Sequence, residues 1–215
     1  MTTDEAIESA LSRLKVVDAA TAEKLGRQPR PTTDPETLFK LADIPIRHQR
    51  CRSLERGGAW GATFDRVRVK IADGVLIALV GNRGSGKTQM GVELIREALA
   101  TGLSCRFASA TKFFMEIKAT YRRDATDTEE KVLRRFTSPR LLVLDEIGRR
   151  GETDWENRLL FELLNDRYND CRSTILISNH DVEGFAASMG PSLVSRINET
   201  GGVIDCSWKS FRETV

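Results

Sequence analysis

At 215 residues the chain is long enough for one sizeable core plus an appendage. Its 40% hydrophobic and 30% charged residues are ordinary for a globular protein, and no stretch approaches the length of a membrane span. The 33 basic and 31 acidic residues leave a formal charge of only +2, so any nucleic-acid contact must come from a local basic surface. Cys51, Cys105, Cys171 and Cys206 stand far apart and form no C-x-x-C pair. That spacing argues against a zinc cluster or disulfide framework and, with no signal-peptide pattern at the start, predicts a cytoplasmic protein.

In chain order, residues 4–25 read as a helix, because Ile7, Ala10, Leu11, Leu14 and Val17 recur on one face. Thr3 or Asp4 can cap its start, and Gly26 suits the position past its end. Pro29, Pro31 and Pro35 make the next stretch a linker, followed by a short helical pattern at Leu38, Phe39 and Leu41. The expected division is a partner-docking segment at 1–28, a linker with a short helix at 29–44, and the main domain at 45–215. Alternation at Val67, Val69 and Ile71, ending at Gly74, predicts a hairpin. Strands are expected at 75–80, 106–108, 141–144, 174–177 and 202–206, with helices at 88–101 and 155–168 between them. The first of these strands is an unbroken apolar run, which suits burial on both faces. Such alternation implies a five-stranded parallel sheet flanked by helices.

The loop after the first long strand reads Gly81-Asn82-Arg83-Gly84-Ser85-Gly86-Lys87-Thr88, a full G-x-x-x-x-G-K-[ST] match. Its glycines let several amide N–H groups turn toward one anion, and the following helix adds its positive end. Lys87 can reach β- and γ-phosphates, and the Thr88 hydroxyl can hold Mg2+. Average residue usage puts a chance match at about 1%. A glycine-rich turn with an incidental lysine is the bland alternative, and the position between strand and helix weighs against it.

Leu141 to Leu144 run into Asp145-Glu146. Parallel strands present their carboxyl ends at one edge of the sheet, so these acids belong beside the phosphate loop. Asp145 is expected in the shell of Mg2+, and Glu146 as the carboxylate that polarises the water attacking the γ-phosphate of ATP. Asn179 ends the next strand, where it can orient that water or simply terminate the strand as a turn residue.

With these pieces in place the chain resembles the DnaC/IstB group of AAA+ ATPases, the bacterial and phage helicase loaders and their transposition relatives. The resemblance covers about residues 45–212. It rests most on L-L-V-L-D-E-I-G at 141–148, Asn165-Asp166-Arg167-Tyr168, Ile177-Ser178-Asn179, and the Trp208-Lys209-Ser210-Phe211-Arg212 ending. It implies Asn179 as the sensor of the γ-phosphate, and Arg196 as a finger reaching the ATP of a neighbouring subunit, with Arg167 a weaker candidate for that interface. It also implies slow ATP hydrolysis until assembly, a hexameric replicative helicase as partner, single-stranded DNA binding, and homo-oligomerisation or assembly on the helicase. The short stretch after Arg196 has no room for a helical lid. A hairpin ahead of the cradle is instead a trait of ABC-type ATPases, but their S-G-G-Q-like signature is missing between the cradle and Asp145.

Between the second and third strands, Lys112, Phe113, Lys118, Tyr121, Arg122 and Arg123 mix aromatic and basic residues, as a single-strand binding surface does. Packing of Phe113, Phe114 and Ile117 on the sheet explains part of the same pattern. Three other readings fit the motifs less fully: an IstB-like transposition ATPase on duplex DNA, a small-molecule P-loop kinase, and an adaptor that binds nucleotide without hydrolysis.

Overall fold

A computed structural model describes residues 34–51 and 57–212. The chain parts into two units between Asp34 and Pro35, and the described fold belongs to the second. The helix expected at 4–25 and most of the proline-rich run lie outside the described residues.

The unbroken apolar runs form the strands. β1 (Leu76–Val80), β3 (Leu141–Asp145) and β4 (Ser173–Ile177) are buried along their whole length, whereas β2 (Cys105–Ser109) and β5 (Gly202–Asp205) are only partly covered. The difference follows from position. The order is β2-β3-β4-β1-β5, every pairing is parallel, and the two partly covered strands are the edges. After β1 the chain crosses to the far edge, steps back through β3 and β4, and then places β5 on the other side of β1. This reversal of direction opens a crevice at the carboxyl end of β1.

Two-residue periodicity divides the core into two layers. Ile77, Leu79, Val143, Ile175 and Ile177 face α1 (Pro35–Leu41), α3 (Gly58–Arg68) and α4 (Lys87–Ala100). Leu76, Ala78, Val80, Leu142, Leu144 and Leu176 face the opposite layer. That layer contains α5 (Ala110–Ala119), α6 (Glu129–Thr137), α7 (Asp154–Asn169), α8 (Val182–Met189) and α9 (Pro191–Thr200). A short helix, α2 (Ile46–Arg50), precedes α3, and a single 3-10 turn (Ile147–Arg149) follows β3. Gly91 lets α4 lie close on the sheet: a Cβ there would stand 2.8 Å from the Val143 side chain. That close seat fixes the helix start, and with it the loop after β1.

The hairpin expected at 67–74 is replaced by the end of α3 and a series of turns. Trp60, Phe64, Val67 and Ile71 recur at helical spacing and are all buried, while Val69 is 66% exposed. Burying that stripe outweighed the local alternation of Val67, Val69 and Ile71. The capping box between Thr153 and Glu156 starts α7, and Ser109, Thr128 and Asp181 cap α5, α6 and α8. Among the described residues no helix is long and apolar enough to cross a membrane.

Candidate functional site

The loop after β1 turns on three glycines in left-handed conformations, Gly81 (φ 112°), Gly84 (φ 85°) and Gly86 (φ 80°). It is tied down from several directions. Gly81 N–H donates to the His180 carbonyl beyond β4 at 2.7 Å, and Ser85 Oγ donates to the Asn82 carbonyl at 2.9 Å. Trp60 Nε1 donates to the Gly86 carbonyl at 3.2 Å, and Trp208 Nε1 to that of Ser85 at 2.8 Å. Lys87 opens α4 and is 4% exposed. Its Nζ donates to the carbonyls of Gly81 and Asn82 at 2.7 and 2.6 Å and to Ser85 Oγ at 3.2 Å. Burial lowers the Lys87 pKa, opposed by Cys206, Asp145 and Asp205. Burial also pushes the Cys206 thiol up to about 12, so that neighbour is a neutral thiol at neutral pH.

Opposite the loop, Asp145 is 7% exposed at the end of β3. Its Oδ2 accepts from Thr88 Oγ1 at 2.8 Å and its Oδ1 from the Glu146 amide at 2.7 Å. Although β4 lies between β1 and β3, this bond joins the helix start to the far strand end. Burial raises the Asp145 pKa, and the hydrogen bonds from Thr88 and Glu146 oppose the rise. Glu146 is itself strained: a non-glycine residue at φ 58°, ψ 35°. Its carboxylate pairs with Arg149 Nη1 at 2.9 Å.

Thr88 and Asp145 offer two hard oxygen donors side by side, which suits Mg2+. Among the described residues no group of three or more His, Cys, Asp or Glu side chains could hold a metal alone. An ion here would draw its remaining ligands from phosphate and water, as Mg2+ commonly does. The cradle and the donor pair therefore fit Mg-ATP.

These groups line one cleft of about 340 Å³, joined by Asn179 from the end of β4. Several other lining residues were not predicted from the sequence. Arg47 and His48 of α2 and Cys51 close one side, and Arg149, Phe211 and Arg212 also contribute. Gln89 of α4 braces that side: its Oε1 accepts from His48 Nδ1 at 3.1 Å and its Nε2 donates to the Cys51 carbonyl at 2.7 Å. The only sequence signal for α2 was its basic run, Arg47, His48 and Arg50. Five cationic side chains (Arg47, Arg83, Lys87, Arg149 and Arg212) face two carboxylates, Asp145 and Glu146. That imbalance favours a polyanionic ligand.

The model of the IstB-like ATP binding protein family matches residues 68–212, more than half the chain and the whole of the loop-and-carboxylate site. The chain belongs to this family. It is 26% identical over 188 residues to the replicative helicase loader DnaC of Escherichia coli (strain K12), covering 84% of this chain and 76% of that protein. It is 25% identical over 136 residues to the DnaC of Buchnera aphidicola subsp. Baizongia pistaciae, covering 63% of this chain. The match spans only 55% of the Buchnera protein. A crystal structure of the DnaC helicase loader superposes with a TM-score of 0.60 at 21% identity, over 78% of this chain and 97% of that one. The AAA+ fold expected of the DnaC/IstB group is therefore the fold observed.

Within this IstB-like fold, Arg196 lies on α9, outside the cleft. Its guanidinium sits 5.3 Å from the Phe161 ring centre and 5.5 Å from that of Tyr168, and its buried Nη1 has no hydrogen-bond partner. Arg167 is a correction. It is fully buried and donates to Thr174 Oγ1 and to the carbonyls of Phe136, Thr137, Pro139 and Ser173. It holds the end of α6 to β4 and cannot reach another subunit. Burial pulls its pKa down to about 9, still high enough to keep it charged at neutral pH.

The basic–aromatic segment divides in the same way. Phe113 is a second correction, being fully buried against Phe114 and Phe136 and so closed to a stacking base. Tyr121 is 55% exposed, and its hydroxyl bonds Glu129 at 2.7 Å. Lys118 Nζ lies 5.0 Å from the Trp155 ring centre, and Lys112 pairs with Asp43 at 3.5 Å. Arg122 and Arg123 are exposed at the turn after α5.

Proposed function

We propose that the chain is an ATP-dependent helicase loader that binds Mg-ATP and single-stranded DNA and engages a hexameric replicative helicase during DNA replication. The observation that carries the nucleotide half is the 2.8 Å bond from Thr88 to Asp145, which joins the phosphate cradle to the acidic strand end. The names of the DnaC relatives support the loader half.

Each residue then has a task. Lys87 and the loop amides of 81–88 bind the β- and γ-phosphates, and Thr88 Oγ1 and the Asp145 carboxylate hold the metal. Magnesium, when bound, neutralises charge on the phosphate oxygens. Glu146 accepts the proton of the attacking water, and Asn179 orients that water. Arg196 acts in trans, stabilising charge on a neighbour's nucleotide once subunits assemble, so the isolated chain hydrolyses slowly. The exposed ring of Phe161 beside it and its unpartnered nitrogen support that assignment. For DNA, exposed Lys118, Tyr121, Arg122 and Arg123 remain the candidate surface, together with Lys112.

The family match also favours a second reading, an IstB-like transposition ATPase acting on duplex DNA. Titrating the full chain with single-stranded and duplex DNA across a salt series separates the two. The loader reading expects tighter single-strand binding and ATP-dependent co-purification with a replicative helicase. A duplex preference without helicase capture supports the transposition reading instead.

A further inference from the structure

His180 follows Asn179 at the end of β4 and joins the phosphate loop to the turn after the acid pair. Its carbonyl accepts from the Gly81 N–H at 2.7 Å, and its own N–H donates to Ser178 Oγ at 3.1 Å. The imidazole lies against Gly148 in the 3-10 turn: a Cβ there would stand 2.8 Å from Nε2, 3.0 Å from Cε1 and 3.1 Å from Cδ2. Gly148 does not have a left-handed backbone, so its conformation admits alanine. What excludes a side chain at 148 is the ring of His180.

Gly148 stands two residues beyond Glu146, whose strained backbone starts the turn. A shift of the turn therefore redirects the Glu146 carboxylate. The far end of the stretch is already fastened. Buried Arg150 donates to the Ser188 carbonyl and Oγ, and Glu152 accepts from Ser188 Oγ at 2.6 Å. His180 holds the near end by packing, and its Nδ1 is buried without a hydrogen-bond partner. An unsatisfied ring nitrogen is an uncommon cost in a native interior, and the seat on Gly148 accounts for it. His180 does not line the nucleotide cleft, so it acts through the turn rather than on the phosphates.

We propose that His180 is a positioning residue for ATP hydrolysis. Its carbonyl grips the phosphate loop while its ring, seated on Gly148, sets the turn that aims Glu146 at the attacking water. The inference rests on the nucleotide-site reading above and concerns the hydrolytic step rather than binding.

The test is an exchange of the two partners in the full chain: Gly148→Ala, His180→Ser, and both together. Each is measured for ATP affinity, for single-turnover hydrolysis of Mg-ATP with protein in excess, and for ligand-free melting. Gly148→Ala drives a methyl into the ring and is expected to slow hydrolysis about tenfold or more, because small misplacements of a reacting group are costly. Its ATP affinity is expected to stay near that of wild type, and its melting temperature to fall. His180→Ser removes the ring and also slows hydrolysis at unchanged affinity. With both changes the methyl has room, so the alanine adds no further loss of rate and the melting temperature recovers. Wild-type hydrolysis in His180→Ser overturns the proposal, and decides the matter even where Gly148→Ala does not fold. An alanine penalty that persists without the ring also overturns it, as does a loss of ATP affinity in step with the rate. Wild-type ATP affinity in Lys87→Ala, or bound ATP that the wild-type chain never hydrolyses, refutes the underlying site reading instead.

Discussion

Asp145 carries a charge where the fold disfavours one. Burial raises its pKa, so this residue adds stability below the ordinary carboxylate range and loses it as pH rises through its native value. At neutral pH the ligand-free carboxylate is therefore a net cost, relieved when a cation binds. Asp145→Asn removes the charge, keeps one carbonyl acceptor for the Glu146 amide, and turns its Nδ2 donor to the Thr88 hydroxyl, which can accept in place of donating. It should raise the stability of the ligand-free protein by about 1 kcal/mol in urea denaturation, while ending the tightening of ATP binding by Mg2+. On acidification, wild type should lose that Mg2+ effect at a pH above the ordinary aspartate range, and the variant should have none to lose. Glu146 offers a parallel case. Its left-handed backbone costs about 1 kcal/mol, against a partly exposed pair with Arg149 worth about 0–1 kcal/mol. Glu146→Gly should thus denature at nearly the wild-type urea concentration, and both it and Glu146→Gln should bind ATP without turning it over. Normal turnover in either acquits Glu146. The motif residues were legible because their chemistry demands a fixed spacing. Arg149, His48 and Arg212 were not, because they reach the cleft from separate elements whose approach only packing decides.

Among the elements, β1, β3 and β4 were legible as apolar runs, and the expected helices at 88–101 and 155–168 lie within a residue of α4 and α7. The failure at 67–74 came from reading a period of two over too short a window, while Trp60 and Phe64 carried the longer period. Aromatic residues misled in the same way at Phe113, since a core face and a stacking face use the same side chains. Arg167 shows the cost of judging a residue by type alone. With Arg167 replaced by Ala, four carbonyls at the junction of α6 and β4 lose their donor, and the protein should lose about 3 kcal/mol or more in equilibrium denaturation. Arg196→Ala, which forgoes only contacts with Phe161 and Tyr168, should cost about 1 kcal/mol or less. Similar losses in the two variants would contradict the structural role given to Arg167.

For the whole molecule, the order β2-β3-β4-β1-β5 brings the ends of β1, β3 and β4 to one edge, so loop, acid pair and Asn179 share a cleft. Arg196 lies outside that cleft, so its effect should appear only on assembly. Arg196→Ala should leave ATP affinity intact but remove the stimulation of hydrolysis when subunits or the helicase are added. An unchanged assembled rate rejects the finger. Everything rests on a triphosphate seated between Lys87 and the Thr88–Asp145 pair. The most direct measurement is calorimetric titration of ATP into wild type and Lys87→Ala, with and without Mg2+. One nucleotide per chain, tightened by Mg2+ and lost in Lys87→Ala, is the predicted result. Binding that ignores both the metal and the lysine would contradict it.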